Sequence, residues 1–455
     1  MAGIGFELRK LLRRESYTGL LQAYGFASII GSGPWVLSIL GVMLIGVISI
    51  GLVFPAIKII QFLVSVTYLM AASLIFTGFF QLMFTRYVAD RLFENKNDII
   101  LANLIGVLTL ITIVGGVLGL FILFMFFSQD INYKTLMLSS FITLSNIWIV
   151  VVFLSGMKAY KLLLGVFFVG YSITVVAALA LEIYGLHGLL LGFLIGQVVL
   201  LFLMLGMVIY EYPSEHLISF DFLNKKKIYI SLLFTGFLYN FGIWVDKFIF
   251  WFTPVTSEQV IGPLRASVIY DIPIFLAYLS IIPGMAVFLV RMETDFAEAY
   301  NNFYTSVREG DTLEHIERLK DEMVLTIRQG IYEIFKVQGI TVVLLYLLGE
   351  KILAFIGISP LYVHLFQIDI VAVGVQVLLL AILNVLFYLD FLMIAFSLCL
   401  LFVAANTLFT YITIELGPQF YGYGFAVALV LTSLIGLVLI SRKLDRLEYE
   451  TFMIQ

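Results

Sequence analysis

The sequence predicts an all-α polytopic membrane protein with twelve transmembrane helices and both termini in the cytoplasm. Composition is the first observation behind this prediction. Of the 455 residues, 62% are hydrophobic and 12% are charged, and the mean hydropathy is +1.08. Soluble domains contain about 45–50% apolar and about 25% charged residues. The composition therefore argues against a soluble fold.

The second observation is a series of long apolar runs. A helix needs about 20 apolar residues to cross the hydrocarbon core of a bilayer. Each run that reaches this length is predicted to form one transmembrane helix. The twelve runs lie at 23–53, 57–84, 101–128, 135–157, 162–184, 187–210, 228–252, 264–290, 331–358, 363–388, 390–414 and 420–440.

The third observation is the distribution of positive charge. Cytoplasmic loops of membrane proteins are enriched in lysine and arginine. With both termini placed inside, the predicted cytoplasmic segments hold 21 of the 26 lysines and arginines, whereas the external segments hold Lys58, Lys134 and Lys351. This bias predicts that both termini face the cytoplasm.

Two short matches indicate an internal duplication. GPWVLSIL at 33–40 aligns with GIWVDKFI at 242–249, and Arg86-x-x-x-Asp90 aligns with Arg291-x-x-x-Asp295. Because both matches occupy equivalent places in the predicted topology, we predict two six-helix bundles repeated about an axis along the membrane normal. The predicted domains are an interfacial amphipathic helix at 1–22, an N-terminal bundle at 23–210, a cytoplasmic linker at 211–227, a C-terminal bundle at 228–440 and a cytoplasmic tail at 441–455.

One large polar segment, 291–336, interrupts the C-terminal bundle. Apolar residues recur at helical spacing on both sides of the GDT sequence at 310–312, which predicts a cytoplasmic helical segment over 291–330 that folds as a hairpin. Residues 291–328 carry nine acidic and five basic side chains. Because anionic lipid repels such a surface, the hairpin is predicted to bind a protein partner. The alternative is a solvated loop that extends two helices.

The sixth apolar run carries Gly188, Gly192 and Gly196 at intervals of four residues. Small residues at this spacing let two membrane helices approach closely. We predict that this ridge serves helix packing.

The seventh and eighth runs contain charges that hydrocarbon disfavours. Asp246 and Lys247 lie in the outer half of the seventh run, and Arg265 and Asp271 lie near the start of the eighth. A charge at the centre of a membrane helix costs about 2.5–3.5 kcal/mol on insertion scales, so such residues usually face a bundle interior or a water-filled cavity. We predict that the four residues lie at one depth, beside a substrate path.

Aromatic and amide side chains accompany these charges. Asn240, Trp244, Lys247 and Trp251 recur on one helix face, with Tyr239 on the neighbouring face. Indole rings stack on sugar rings and polar groups bond to hydroxyls, so this lining is typical of a ligand pocket. The alternative is structural: the charges pair to lock two helices, and Trp251 belongs to the interfacial aromatic belt. The candidate path residues are Asp246, Lys247, Arg265, Asp271, Asn240, Trp244, Tyr239 and Trp35.

The sequence offers no support for several other functions. It contains no GxxxxGK[ST] motif, so it has no P-loop for ATP hydrolysis. Its four histidines lie at or outside the ends of the runs without metal-ligand spacing. No nucleophile–base pair and no basic, aromatic nucleic-acid site is evident. We therefore expect a protein that is not an enzyme and uses no cofactor or metal.

The sequence MAGIGFELRKLL at the N-terminus, followed by GSGPWVLSI at 31–39, resembles the PelG family, the inner-membrane component of the Pel exopolysaccharide machinery. The resemblance extends along the whole chain in its length, its twelve spans and its long cytoplasmic segment. It implies a MOP/MATE-like fold, that of the multidrug/oligosaccharidyl-lipid/polysaccharide flippase-like transporters. In that fold two six-helix bundles surround a cavity lined largely by the first, second, seventh and eighth spans.

The resemblance also implies a function and partners. A polymer rich in N-acetylgalactosamine would cross the bacterial inner membrane after synthesis by a cytoplasmic glycosyltransferase. Small membrane partners, one of them a cyclic-di-GMP receptor, would complete the complex, with 291–336 as part of the docking surface. Three alternatives stay open: a lipid-linked oligosaccharide flippase, a drug/cation antiporter, and a scaffold that recruits the synthase and transports nothing. An antiporter needs an acid within a span that no nearby base balances. Whether Asp369 and Asp390 are such acids is left open.

Overall fold

Almost every predicted apolar run forms a helix in the computed structural model, which describes residues 17–49, 55, 57–94, 96–155, 160–224 and 229–447. The predicted interfacial helix lies outside the described residues as far as residue 16, as do linker residues 225–228 and the tail from residue 448. The helices of the first half are α1 (Tyr17–Ser49), α2 (Ile57–Phe93), α3 (Ile100–Phe126), α4 (Ile131–Ser155), α5 (Tyr160–Ala180) and α6 (Leu186–Glu211).

The second half contains more elements because its eighth run is divided. These elements are α7 (Ile230–Phe252), strands β1 (Glu258–Ile261) and β2 (Leu264–Ala266), α8 (Val268–Tyr278), α9 (Ile281–Val290), a π-helix (Arg291–Phe296), α10 (Ala297–Glu309), α11 (Leu313–Ile356), α12 (Val363–Tyr388), α13 (Leu392–Leu416) and α14 (Tyr423–Leu444).

Ten helical stretches among the described residues are long and apolar enough to cross a membrane. They comprise α2–α6, the continuous stretch Val268–Glu309, and α11–α14. Helix α1 contributes the shorter apolar segment Leu37–Ser49, and in α7 the apolar sequence is interrupted by Asn240, Asp246 and Lys247. The chain is a multi-pass membrane protein, while the count of twelve and the orientation stay predictions.

The chain forms two compact units. The N-terminal unit comprises Pro34–Trp244 and Phe250–Ser267. The C-terminal unit comprises Met1–Gly33, Val245–Ile249 and Val268–Gln455. The middle of α7 thus belongs to the C-terminal unit although both ends of the helix belong to the N-terminal one. The domain boundaries predicted from the sequence follow chain order and stay a prediction.

The predicted glycine ridge packs two helices of the N-terminal unit. A Cβ atom at Gly192 of α6 would overlap the backbone of Ala178 in α5, and one at Gly196 would overlap Thr174. The absence of side chains at these positions lets α5 and α6 come into backbone contact. The packing role predicted for the ridge is confirmed.

The start of the eighth predicted span is wrong. Residues 258–266 form the antiparallel hairpin β1–β2, and α8 begins only at Val268. Gly262 at the turn has a φ of +53°, a conformation that suits glycine, and Pro263 follows it, so this sequence favours a turn over a helix. The span is also interrupted, because α8 ends at Tyr278 and α9 starts at Ile281.

Helices α10 and α11 of the C-terminal unit form the predicted helical hairpin, and its cytoplasmic location stays a prediction. Helix α10 ends at Gly310, which is left-handed with a φ of +73°. The side chain of Thr312 then caps α11 by accepting a bond from the His315 N–H. Phe303, Met323 and Ile327 of the predicted apolar stripe are buried. Leu313 is exposed, so the stripe starts one turn later than predicted.

Candidate functional site

Asp246 and Lys247 of α7 form a buried ion pair inside the C-terminal unit. Their side chains are 0% and 1% exposed, and Lys247 Nζ lies 3.1 Å from Asp246 Oδ2. Tyr270 of α8 donates its hydroxyl proton to the same oxygen at 2.6 Å. Lys247 also donates to the hydroxyl of Tyr278 at 3.3 Å, and its ammonium lies 4.6 Å from the ring centroid of Phe425 in α14. The pair is thus enclosed by aromatic side chains.

Helix α13 supplies the second polar contact to Asp246. Asn406 Nδ2 donates to Asp246 Oδ1 at 3.5 Å, and Thr410 donates to the Asn406 carbonyl oxygen at 3.0 Å. Asn406 and Thr410 are four residues apart, so they occupy one face of the helix. The pair in α7 is therefore bonded to α8 and α13.

A second buried carboxylate lies in this cluster. Asp369 of α12 is 0% exposed and interacts electrostatically with Lys247 and Asp246. Neither of its carboxylate oxygens has a hydrogen-bond partner among the described residues. Two acids and one base leave an ionised cluster with one net negative charge. A buried charge without a bonded partner is costly, so Asp369 is suited to take up a proton or a cation.

Arg265 belongs to β2 of the N-terminal unit, whereas Asp246, Lys247 and Asp369 belong to the C-terminal unit. The common depth predicted for the four charges stays a prediction. The guanidinium of Arg265 donates to the hydroxyl and the carbonyl of Ser257, both at 2.9 Å, and to the carbonyl of Trp251 at 3.1 Å. Tyr68 donates to the Arg265 carbonyl at 2.9 Å. Arg265 therefore holds the hairpin on the end of α7, because the strand points it back at these carbonyls.

Asp271, a candidate path residue, lies in the first turn of α8 and is partly exposed. Its neighbour Tyr270 bonds to Asp246 instead. Adjacent helix residues point about 100° apart, so only one of the two can face a given neighbour.

The predicted aromatic and amide stripe of α7 is divided between the units. Asn240 and Trp244 lie in the N-terminal unit, and Lys247 lies in the C-terminal unit. Trp244 is 5% exposed and contacts Trp251, with 6.1 Å between ring centroids. Trp251 in turn stacks on Tyr68 at 4.4 Å. In this conformation Trp244 is packed among aromatic rings and presents little surface to a sugar.

Asn240 takes part in a neutral polar chain of the N-terminal unit. Its amide donates to Gln81 Oε1 at 3.3 Å, and Gln81 donates to Thr77 at 3.1 Å. Beside this chain a Cβ atom at Gly78 would lie 2.7 Å from the carbonyl oxygen of Gly236. Helices α2 and α7 therefore cross in close backbone contact. Tyr239 is partly exposed near this crossing; Trp35 lies in α1, and its side chain is outside the described part of the structure.

Tyr270, Tyr278 and Asn406 were not among the predicted site residues, and the role of Asp369 as an unbalanced acid was left undecided. One signal was available: each is a polar or phenolic group in an apolar run, and such groups usually face a bundle interior. No local pattern connects them, because Asp246 and Asn406 are 160 residues apart in the chain.

The fold matches that of solved membrane transporters. A multidrug resistance MATE family transporter of the MOP superfamily, in an outward-facing conformation, aligns with a TM-score of 0.67 and 14% identity over 99% of both chains. A MOP superfamily transporter from Pyrococcus furiosus aligns with a TM-score of 0.65 and 12% identity over 93% of this chain and 95% of that one. A mutant of the Vibrio cholerae MATE transporter VcmN aligns with a TM-score of 0.64 and 11% identity over 97% of this chain and 98% of that one. The fold is that of the MOP transporters.

The family follows from the sequence of the whole chain. Residues 1–452 match the family model PelG, described as an exopolysaccharide exporter (EPS-E). The chain belongs to the PelG family, and the family and the fold together indicate a polysaccharide transporter. No protein with a curated description matches the chain.

Proposed function

We propose that this protein carries an N-acetylgalactosamine-rich exopolysaccharide of the Pel type across the bacterial inner membrane, together with a cytoplasmic glycosyltransferase and small membrane partners. The observation that carries the proposal is the match of residues 1–452 to an exporter family. The MOP fold supports it, because the chain has the architecture of a transporter over 99% of its length.

The cytoplasmic hairpin α10–α11 is the proposed docking surface for the glycosyltransferase. Its apolar stripe is turned inward, so charged side chains form the outer surface. Residues 291–328 hold nine acids and five bases. A partner with a basic surface would complement this charge, and the complementarity would accelerate association.

The sugar contacts are proposed for the candidate path residues that retain exposure. In the N-terminal unit these are Tyr239 and Asn240, whose hydroxyl and amide groups suit sugar hydroxyls. In the C-terminal unit Asp271 has the same property. Asp246 and Lys247 are buried and paired, so their proposed role is to hold the helices that present the exposed groups.

Inverted membrane vesicles test the transport function directly. Vesicles that contain the synthase complex with this chain are supplied with a labelled nucleotide sugar, and polymer that enters the lumen is measured as the fraction protected from an added glycosidase. The matched control contains every other component without this chain. We expect protected polymer only when the chain is present. Equal protection in the control would refute transport, and loss of synthesis in the control would instead support the scaffold.

Cation-coupled antiport is a second candidate, and Asp369 favours it. This carboxylate is fully buried and its oxygens have no hydrogen-bond partner among the described residues. An unbalanced buried acid is the residue that a proton- or cation-driven transporter needs. In the same vesicles, collapse of the proton gradient with an ionophore should reduce polymer uptake, and Asp369→Asn should abolish this dependence. Polymer uptake that changes neither on collapse of the gradient nor in Asp369→Asn would exclude coupling at Asp369.

A further inference from the structure

Tyrosine, arginine and aspartate recur together in the two halves of the chain. Tyr24 and Tyr229 differ by 205 positions (229 − 24 = 205), and the pairs Arg86/Arg291 and Asp90/Asp295 differ by the same number. The arginine and the aspartate lie at the predicted cytoplasmic end of the second helix of each half. The tyrosine lies at the corresponding end of the first helix of each half.

The first triad lies inside the N-terminal unit. Arg86 Nε is 3.2 Å from Asp90 Oδ1, within one turn of α2. Tyr229, at the start of α7, donates its hydroxyl proton to Asp90 Oδ2 at 3.1 Å. The Arg86 guanidinium carbon lies 5.2 Å from the centroid of the Tyr229 ring, within the range of a cation–π contact. A tyrosine of the second half thus binds an ion pair of the first half.

The second triad lies inside the C-terminal unit. Here the tyrosine comes from the first half of the chain and the ion pair from the second half. Arg291 donates to Asp295 at 2.6 Å, and Tyr24 of α1 lies near enough to Arg291 for the two side chains to interact electrostatically. A tyrosine of the first half therefore lies beside an ion pair of the second half. Here Glu333 of α11 adds bonds to Arg291 at 2.6 and 2.8 Å. We name the two sets the Tyr229 latch (Arg86, Asp90, Tyr229) and the Tyr24 latch (Arg291, Asp295, Tyr24).

A close helix crossing lies two turns away from each latch. Seven residues after Tyr229, a Cβ atom at Gly236 would overlap the carbonyl group of Gly78 in α2. Seven residues after Tyr24, a Cβ atom at Gly31 would lie 2.6 Å from Leu289 of α9. Gly31 and Gly236 again differ by 205 positions (236 − 31 = 205). Tyrosine, arginine, aspartate and glycine therefore recur at an offset of 205 residues and make similar contacts. This recurrence indicates that the same structural arrangement is present in both halves.

We propose that the two triads are reversible latches that hold α7 on α2 and α1 on α9 at their predicted cytoplasmic ends, and that they open and close during transport. This inference rests on the transport function proposed above. The ion-pair side chains are 29–33% exposed, and solvent screens such pairs, so they can break and re-form readily. Beside the Tyr229 latch the helices meet through the backbones of Gly78 and Gly236, which reduces the side-chain interlocking that would resist separation.

Spin-label distances test opening with the latch residues intact. Phe93 on α2 and Ile230 on α7 are exposed and lie beside the Tyr229 latch. A Phe93→Cys and Ile230→Cys protein, in a Cys399→Ser background, is labelled in nanodiscs for pulsed distance measurement. We expect two distance populations and a gain in the longer one of about fivefold in Arg86→Gln, as for the loss of a solvent-exposed ion pair. A single distance in both proteins would overturn the latch, whether or not the protein transports polymer.

A reversible cross-link tests the connection to transport. Asp90→Cys with Tyr229→Cys is joined by a cleavable bis-methanethiosulfonate, because tyrosine and aspartate together span more than a disulfide reaches. Polymer uptake should fall at least about tenfold, as when a gating motion is blocked, and return on reduction. The control joins Ile57→Cys to Ile60→Cys, two exposed residues of α2 outside the latch, and should keep its uptake. Undiminished uptake in the cross-linked latch would refute a role in the cycle, whereas uptake absent from the unmodified protein would refute the transport function and leave the latch to the distance measurement.

Discussion

The buried polar groups of the two units differ in kind. Those of the N-terminal unit include three neutral pairs: Ser65 with Tyr133 at 2.8 Å, Trp148 with Ser73 at 3.0 Å, and Gln197 with Thr174 at 3.3 Å. Its buried Arg91 is bonded to the more exposed Glu94 at 2.6 Å. The C-terminal unit instead contains the ion pair Asp246–Lys247 beside Asp369. In the predicted duplication, Ser38 aligns with Lys247 (247 − 209 = 38). A neutral pair contributes to packing, whereas the charged cluster can also gain or lose a proton. The two repeated halves therefore differ in what their buried polar groups can do.

The largest expected effect is the loss of the only base in the charged cluster. Lys247→Met leaves Asp246 and Asp369 buried together without their positive neighbour, and removal of one partner of a buried ion pair costs about 3–5 kcal/mol. We expect a lower midpoint of thermal unfolding in detergent and a reduced protein level in the membrane. Asp246→Asn should lower the stability less, because Lys247 still has an acidic neighbour in Asp369. Equal stability of Lys247→Met and the unmodified protein would show that the acids are already neutral.

Packing in the N-terminal unit should be the next most sensitive feature. Gly192→Ala places a methyl group on the backbone of Ala178, so α5 and α6 must separate. Overpacking of this kind costs about 1–3 kcal/mol. Thermal unfolding in detergent measures the loss. Gly206→Ala is the matched control, since it lies in the same helix with nothing within 4 Å of the added atom. Alanine favours a helix over glycine, so a control as unstable as Gly192→Ala would show that the loss does not come from the contact with Ala178.

A neutral pair should contribute less than the charged pair. Ser65→Ala leaves the buried hydroxyl of Tyr133 without its partner, which costs about 1–3 kcal/mol. Tyr133→Phe removes the other hydroxyl, and the double variant should be more stable than the sum of the two single changes predicts. Unfolding midpoints of the three variants give the coupling. Strict additivity would mean that the bond contributes nothing.

Asp369→Asn should have the smallest effect on stability, despite complete burial. The substitution removes the one acid whose oxygens have no hydrogen-bond partner among the described residues and leaves Asp246–Lys247 as a neutral pair. Removal of an uncompensated buried charge is neutral or stabilising. The comparison with Asp246→Asn in one unfolding assay separates a bonded acid from an unbonded one. A loss as large as that of Lys247→Met would show that Asp369 supports the fold through its charge.

Much of the architecture could be predicted from local sequence. Apolar runs of about 20 residues specify membrane helices because the bilayer leaves backbone groups no other partners. The glycine ridge of α6 and the turn at Gly310 and Thr312 are also local signals, since each depends on residues a few positions apart. The hairpin β1–β2 was missed because Leu264–Ala266 of β2 were assigned to the start of the eighth apolar run, and run length alone does not separate a short strand from the start of a helix.

The sequence by itself determined that Asp246 and Lys247 are exceptional, since two charges in an apolar helix demand partners. Their partners were decided by the tertiary structure. Tyr270, Asn406 and Asp369 come from three other helices, and Arg265 turns away to the backbone of its own hairpin. The same holds for the latches: the repeat of Arg-x-x-x-Asp is visible in the chain, but the exchange of tyrosines between halves is not. Helix formation depends on neighbours in sequence, whereas the pairing of charges depends on which helices pack together, and that is set by contacts between residues far apart in the chain.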